Sequence, residues 1–203
     1  MNDHQSVWET VEHFRRAHLG PRGNQLPVDV FTIVELDFKL DVIPFDDLAA
    51  RFRVEAALTQ DFTGMYVDAE SYVFWEKDPV WKQNRLRFTV AHELGHFVLH
   101  REQAAKIAFT SFEHFAAYFK ADDGPRYALE QDANEFAGRL LVPIERLREH
   151  YDHFVRQIVN VMPNWRLSED LRAKFSDSVA PKFGVNAQVD MARLDRELLW
   201  PAP

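Results

Sequence analysis

The residues with the clearest chemistry lie in FTVAHELGHFVLH at 88–100, which contains His92-Glu93-x-x-His96. In a helix, side chains four apart stand one above the other on the same face. Two imidazoles so placed can hold one ion at about 2.0–2.1 Å each. Glu93 lies beside them, within reach of a water that such an ion would activate, and is the candidate general base. On a wheel of about 100° per residue, Thr89, Glu93, His96 and His100 share the arc of His92, while Val90, Ala91, Leu94, Phe97 and Val98 fall opposite. That segregation predicts a helix over 85–101 that packs one face and turns the other toward a polar cleft. Gly95 sits between the histidines, where glycine costs about 1 kcal/mol against alanine; close approach by a neighbouring segment would explain it.

A catalytic zinc takes three protein ligands and keeps one position open. The continuous arrangement HExxHxxGxxH would need Gly at 99 and His at 102, where this chain has Leu99 and Glu102. A carboxylate from a later helix is the alternative. In YALEQDANEFAGRLL at 127–141, Glu130 shares an apolar arc with Leu129, Ala133, Phe136, Ala137, Leu140 and Leu141. A carboxylate on a packed face is costly unless it is paired or binds a metal, so Glu130 is the candidate third ligand. An ion pair with a buried arginine is the other reading. Asn134, one turn on, suits a hydrogen bond to a ligand histidine or an ordinary helix-packing contact. Gln131, Asp132, Glu135 and Arg139 fall on the opposite side and are expected to be solvated, with Asp132 alternatively an acid near the ligands. Two histidines and a glutamate suit several divalent ions, zinc among them.

The elements that must position these groups are legible in outline. Helices are expected over 5–17 and 27–36, a strand over 38–44, and a hairpin over 64–75 turning at Asp68-Ala69-Glu70-Ser71. Residues 20–24 read as a loop and 121–126 as a turn; the helix from Tyr127 stops at Leu141, before Pro143. Phe109, Phe112, Phe115, Ala116 and Phe119 form one helical face at 109–120, either core or an apolar lid. The tail from Pro163 carries a helical stretch, a turn at 183–186 and a final helix to Trp200.

With 203 residues and 46% hydrophobic composition, the chain can build a real core, as one domain or one domain with an appendage. We divide it into 1–162, holding both motifs, and a helical extension over 163–203 that packs on or flanks it. A formal charge of −8 and no dense basic run disfavour direct nucleic-acid binding. The tail's two helices around a turn could suggest DNA reading, but 163–203 holds six Lys/Arg and six Asp/Glu. No cysteine is present, which excludes disulfides, thiolate metal sites and a cysteine nucleophile. The N-terminus lacks the apolar run of a secretory signal, and no stretch approaches about 18 apolar residues, so no membrane span and a cytoplasmic location are expected.

RFTVAHELGHFVLH at 87–100 followed by EQDANEFAGRLLVP at 130–143 resembles the ImmA/IrrE family of zinc metallopeptidases, whose pattern is RFTxAHELGH and then ExxANxFAxxLLxP. Weaker similarity extends to LPVDVFTIVELDFKLDVI at 26–43 and FGVNAQVDMARLDRELL at 183–199. The resemblance implies an α+β fold: a mostly helical zincin-like metallopeptidase domain with a small β-sheet. It implies His92, His96 and Glu130 as ligands of Zn2+ and Glu93 as the base. It also implies a protein substrate, typically a helix-turn-helix repressor or an antitoxin-type regulator. Many relatives carry their own N-terminal DNA-binding domain; the 25 residues before the matching region are too few for one, so a separate partner is expected. Candidates for oxyanion stabilisation are His100, His114, Tyr118 and Tyr127, with His100 alternatively a surface histidine or one that supports the ligands from behind; Arg85 and Arg87 could meet an acidic group or simply be solvated. The rival reading is a zinc-bearing regulator that sequesters its partner without cutting it, and a third is hydrolysis of a non-peptide amide.

Overall fold

The computed structural model describes residues 3–20, 25–107, 114 and 124–200. The fold is α+β and mostly helical, with one small mixed sheet, as the sequence and the resemblance imply. The Phe-bearing segment 109–120, apart from His114, lies outside the described residues, as do 21–24 and 121–123.

Helix α1 (Asp3–Phe14) runs on into a π-type turn (Arg15–Leu19). Helix α2 begins at Val30 rather than Pro27, because Asp29 accepts a hydrogen bond from the Thr32 amide (3.1 Å) and so fixes the helix start. It comprises Val30–Thr32 and a π-type turn, Ile33–Asp37. Strand β1 (Asp41–Phe45) starts later than expected, since Phe38 closes that turn onto Ile33 (3.1 Å) and Lys39 adopts a left-handed φ of 55°.

The hairpin expected over 64–75 is not what forms. Residues Gly64–Asp68 are strand β3, but Ala69–Val73 are helix α4. Asp68, read from sequence as a turn residue, is that helix's cap: its carboxylate accepts from the Ser71 amide (3.1 Å) and from the Ala49 amide (3.0 Å). Asp and Ser serve turns and caps alike, which is why local chemistry misassigned the segment. The true hairpin joins β2 (Ala56–Leu58) to β3 through 59–63, where Thr59 Oγ1 accepts from the Gly64 amide (2.9 Å). The strand order is β1-β3-β2, with β1 parallel and β2 antiparallel to β3. Short α3 (Leu48–Phe52) links β1 to β2.

Helix α5 (Val80–Ala104) is the central strut, longer than the expected 85–101. Helix α6 (Gly124–Leu141) packs along it and begins inside the segment read as a turn. Helix α7 (Ile144–Ile158), starting just after Pro143, has no counterpart in the sequence reading. Helix α8 (Glu169–Phe183) ends at Gly184, whose φ of 64° suits glycine, and α9 (Ala187–Arg196) stops short of Trp200. One apolar cluster runs from Val7 through Leu94 and Phe136 to Trp165, Phe183 and Trp200, so residues on both sides of position 163 share it. Among the described residues, no helix is long and apolar enough to cross a membrane.

Candidate metal centre

Helix α5 supplies two imidazoles and α6 a carboxylate, and the packing of one helix on the other brings them together. Gly95 makes this possible. A Cβ there would stand 3.2 Å from Ala133 Cα, Ala133 O and Phe136 Cβ, so the two backbones approach as only glycine allows. The close approach expected from the sequence is thus made by α6, one turn beyond Glu130.

His92 Nε2 and His96 Nε2 lie 3.0 Å apart; Glu130 Oε1 is 3.3 Å from His96 Nε2 and Glu130 Oε2 is 3.5 Å from His92 Nε2. Tetrahedral coordination at about 2.0–2.1 Å per bond separates neighbouring ligand atoms by about 3.3 Å. The three observed spacings bracket that value, and among the described residues His92, His96 and Glu130 form a group that could hold a metal ion. His96 is 1% exposed, whereas the His92 and Glu130 side chains retain 12% and 22% exposure, so the group is open from one side.

The outer nitrogens are also engaged. His92 Nδ1 lies 3.0 Å from Asn134 Oδ1, and the amide oxygen can only accept, so Nδ1 carries the proton and Nε2 is left as a free donor of its lone pair. His96 Nδ1 lies 3.0 Å from His100 Nδ1; with His96 Nε2 turned to the centre, His96 Nδ1–H donates and His100 accepts. His100 is therefore a buried prop behind a ligand candidate, 5% exposed, and does not face the cleft as an oxyanion donor. The wheel placed it on the polar arc; that arc is covered at its far end.

Electrostatics favour the anionic Glu130 and the neutral His96 that a cation needs. Burial would raise the Glu130 carboxyl, but the adjoining His92 and His96 rings outweigh it and hold it at about 2. Burial pushes His96 down to about 4 and His100 to about 3, so both are neutral near pH 7. His92 is also pulled down by burial, yet Glu130, Glu93 and Asn134 together raise it above the ordinary value.

Glu93 Oε2 accepts from the Leu58 amide on β2 (3.1 Å), which fixes the carboxylate beside the imidazoles. This contact between the HExxH helix and the sheet could not be read from sequence, because β2 is three short residues without alternation. A cleft of about 540 Å³ opens here, lined by His92, Glu93, Glu130, Asn134, Thr89, Phe88, Arg85 and β2. Arg85 reaches an acidic group as envisaged, bonding Glu55 through Nε (2.8 Å) in the cleft wall. Arg87 instead donates to the Gly184 carbonyl (2.7 Å), clamping the turn between α8 and α9.

Other candidates resolve differently. Tyr127 stands 48% exposed on α6 ahead of Glu130, His114 is exposed, and Tyr118 lies outside the described residues. Glu135 and Arg139, expected in solvent, are 6% and 5% exposed. Helices α1 and α9 cover that face of α6: Arg139 Nε bonds Glu135 (2.6 Å), its Cζ lies 3.8 Å over the Trp8 ring, and its Nη2 meets Glu197 (2.9 Å). Asp132 is half-buried and lies outside the metal-capable group.

Residues 82–195, more than half of the chain, match the peptidase family described as the IrrE N-terminal-like domain, and the chain belongs to that family. The match spans α5 to α9, so it includes both motif helices and the helix pair that closes the fold. Membership supports a metallopeptidase-like function. A search of curated proteins returns no match.

Proposed function

We propose that the chain is a zinc-dependent endopeptidase that cuts a peptide bond in a regulatory protein, of the helix-turn-helix repressor or antitoxin type. The observation that carries this reading is the triad of ligand atoms spaced 3.0, 3.3 and 3.5 Å with a separate carboxylate, Glu93, fixed beside it. A site built only for structure would need four protein ligands and no spare acid. In this reading His92, His96 and Glu130 hold Zn2+, with Asn134 and His100 fixing the tautomers of the two histidines. When bound, zinc supplies Lewis acidity, polarising a scissile carbonyl and making water easier to deprotonate. Glu93 takes the water proton and passes it to the leaving nitrogen. Tyr127 is exposed near the ligand carboxylate and is the described candidate for steadying the developing oxyanion.

The repressor-type partner and a cytoplasmic location belong to the same proposal and rest on the family resemblance. The division into a peptidase body, 1–162, and an extension, 163–203, is also proposed; contacts of α9 with α6 support the extension packing on the body. The decisive experiment is co-expression with the product of the adjacent gene, mapping new protein termini, for the wild type and Glu93→Gln. The variant is expected to retain zinc by elemental analysis and to lose cleavage. If it still silences the partner without new termini, sequestration is the function and the peptidase reading fails.

A further inference from the structure

A second cavity, about 280 Å³, lies between α6 and α9 on the far side of Phe88 from the metal-capable group. It shares Phe88 and Asn134 with the catalytic cleft, so the two spaces adjoin. Phe88 stands one turn before His92 on α5, and Asn134 bonds His92 itself (3.0 Å). One helical turn is about 5.4 Å, which puts the cavity mouth within a residue or two of any peptide bond held at the metal.

Its apolar walls are Phe88, Gly138, Val189 and Ala192; Gln131, Gln188 and three charged side chains complete the lining. Those charged ends are turned to one another. Arg193 Nη2 meets Glu197 (3.0 Å), Arg139 bonds Glu135 (2.6 Å), and Arg196 Nε lies 3.6 Å from Glu135. Arg193 Cδ passes 3.3 Å from where a Gly138 Cβ would stand, so carbon rather than charge meets that wall. Long cationic side chains commonly cover apolar surface in this way.

We propose that this cavity is a specificity pocket for one large apolar side chain, of the Leu, Met or Phe kind, on the substrate segment beside the scissile bond. The inference rests on the peptidase reading and deepens it: α9, in the C-terminal extension, becomes a wall of the substrate site. Adjacency to the cleft across Phe88 and Asn134 argues for a substrate residue as the occupant. Exchanging leucine for alanine there removes about three buried methylene equivalents, so a preference of about 50-fold is expected.

Two measurements test it. The first profiles cleavage of a proteome-derived peptide library by the zinc-loaded full chain. The wild type should select a large apolar residue at one position within two of the cut; Ala192→Trp, which fills the pocket from an exposed helix position, should shift that selection to small residues. Val189→Ala, which enlarges it, should shift selection toward bulkier ones. No apolar preference, a preference for acidic residues (which the third arginine would favour), or a profile indifferent to both variants overturns the proposal. The second needs no cleavage. Millimolar N-acetyl-leucinamide, but not N-acetyl-glycinamide, should shift the amide NMR signals of Gly138, Val189 and Ala192 in the wild type and leave those of Ala192→Trp unmoved. Absence of those shifts sinks the pocket even if peptides are cut; their presence without any cleavage sinks the peptidase reading and leaves an apolar side-chain site.

Discussion

Replacing Gly95 with alanine tests the link between helix packing and the metal centre. Taken alone, a helix-interior Gly→Ala change should stabilise the protein by about 1 kcal/mol through backbone entropy. Here the new Cβ would lie 3.2 Å from three atoms of α6, two of them backbone. Ordinary carbon contacts are about 3.5–4.0 Å, so α5 and α6 must part by roughly 0.3–0.8 Å. Overpacking of this kind costs about 1–3 kcal/mol, which cancels or exceeds the propensity gain and leaves a net loss of about 0–2 kcal/mol. The consequence for the site is sharper. Glu130 sits one turn from Ala133 on the helix that must move, while metal–ligand distances tolerate only about ±0.2 Å. Zinc affinity should therefore fall about tenfold, well beyond what the stability change suggests. Urea unfolding of the metal-free protein measures the first quantity, and competition with a chromophoric chelator the second. Gly138→Ala is the control: its Cβ would meet only Arg193 Cδ at 3.3 Å, part of a side chain that can shift. That variant should gain stability and keep its zinc affinity. If Gly95→Ala instead gains about 1 kcal/mol with unchanged zinc affinity, the reasoning about close approach is wrong.

Two further outcomes concern polar groups that the site or the core holds in place. Asn134→Ala and His100→Ala should each weaken zinc binding about 10- to 100-fold by freeing the outer nitrogen of a ligand candidate, and His100→Gln, which retains an acceptor, should recover part of it; equal affinities by chelator competition would remove both from the site. Asp190 is fully buried and desolvation raises its carboxyl from 3.8 to about 7, against the lowering influence of the Ser176 hydroxyl and the charge of Arg193. A raised acid stabilises the fold while protonated, fully below the unfolded value, and that contribution is lost as pH climbs through about 7. Asp190→Asn should thus gain little near pH 4 and up to a few kcal/mol at pH 8, read as a pH-dependent difference in denaturant midpoint; a gain independent of pH would contradict it.

The sequence by itself determined the local part of this site. The spacing of His92, Glu93 and His96 fixes their common face once α5 is helical, because i and i+4 positions coincide on any α-helix. Glu130 was found by a similar local argument: a carboxylate in an apolar arc needs a reason to be there. Gly95 announced a close approach, since a helix carries glycine at a cost. Only the tertiary structure decided what approached it, and hence that Glu130 meets both imidazoles. It also decided which polar faces are solvated. Glu135, Arg139 and His100 look exposed on a wheel, yet α1 and α9 cover the first two and the third is buried behind His96. A helical wheel knows the period of one element and nothing of its neighbours. The hairpin failed for a related reason: Asp68 caps α4 through the Ser71 amide while its other oxygen accepts from Ala49, nineteen residues away. Whether Asp turns a strand or starts a helix depends on which amides surround it, and those are delivered by the fold.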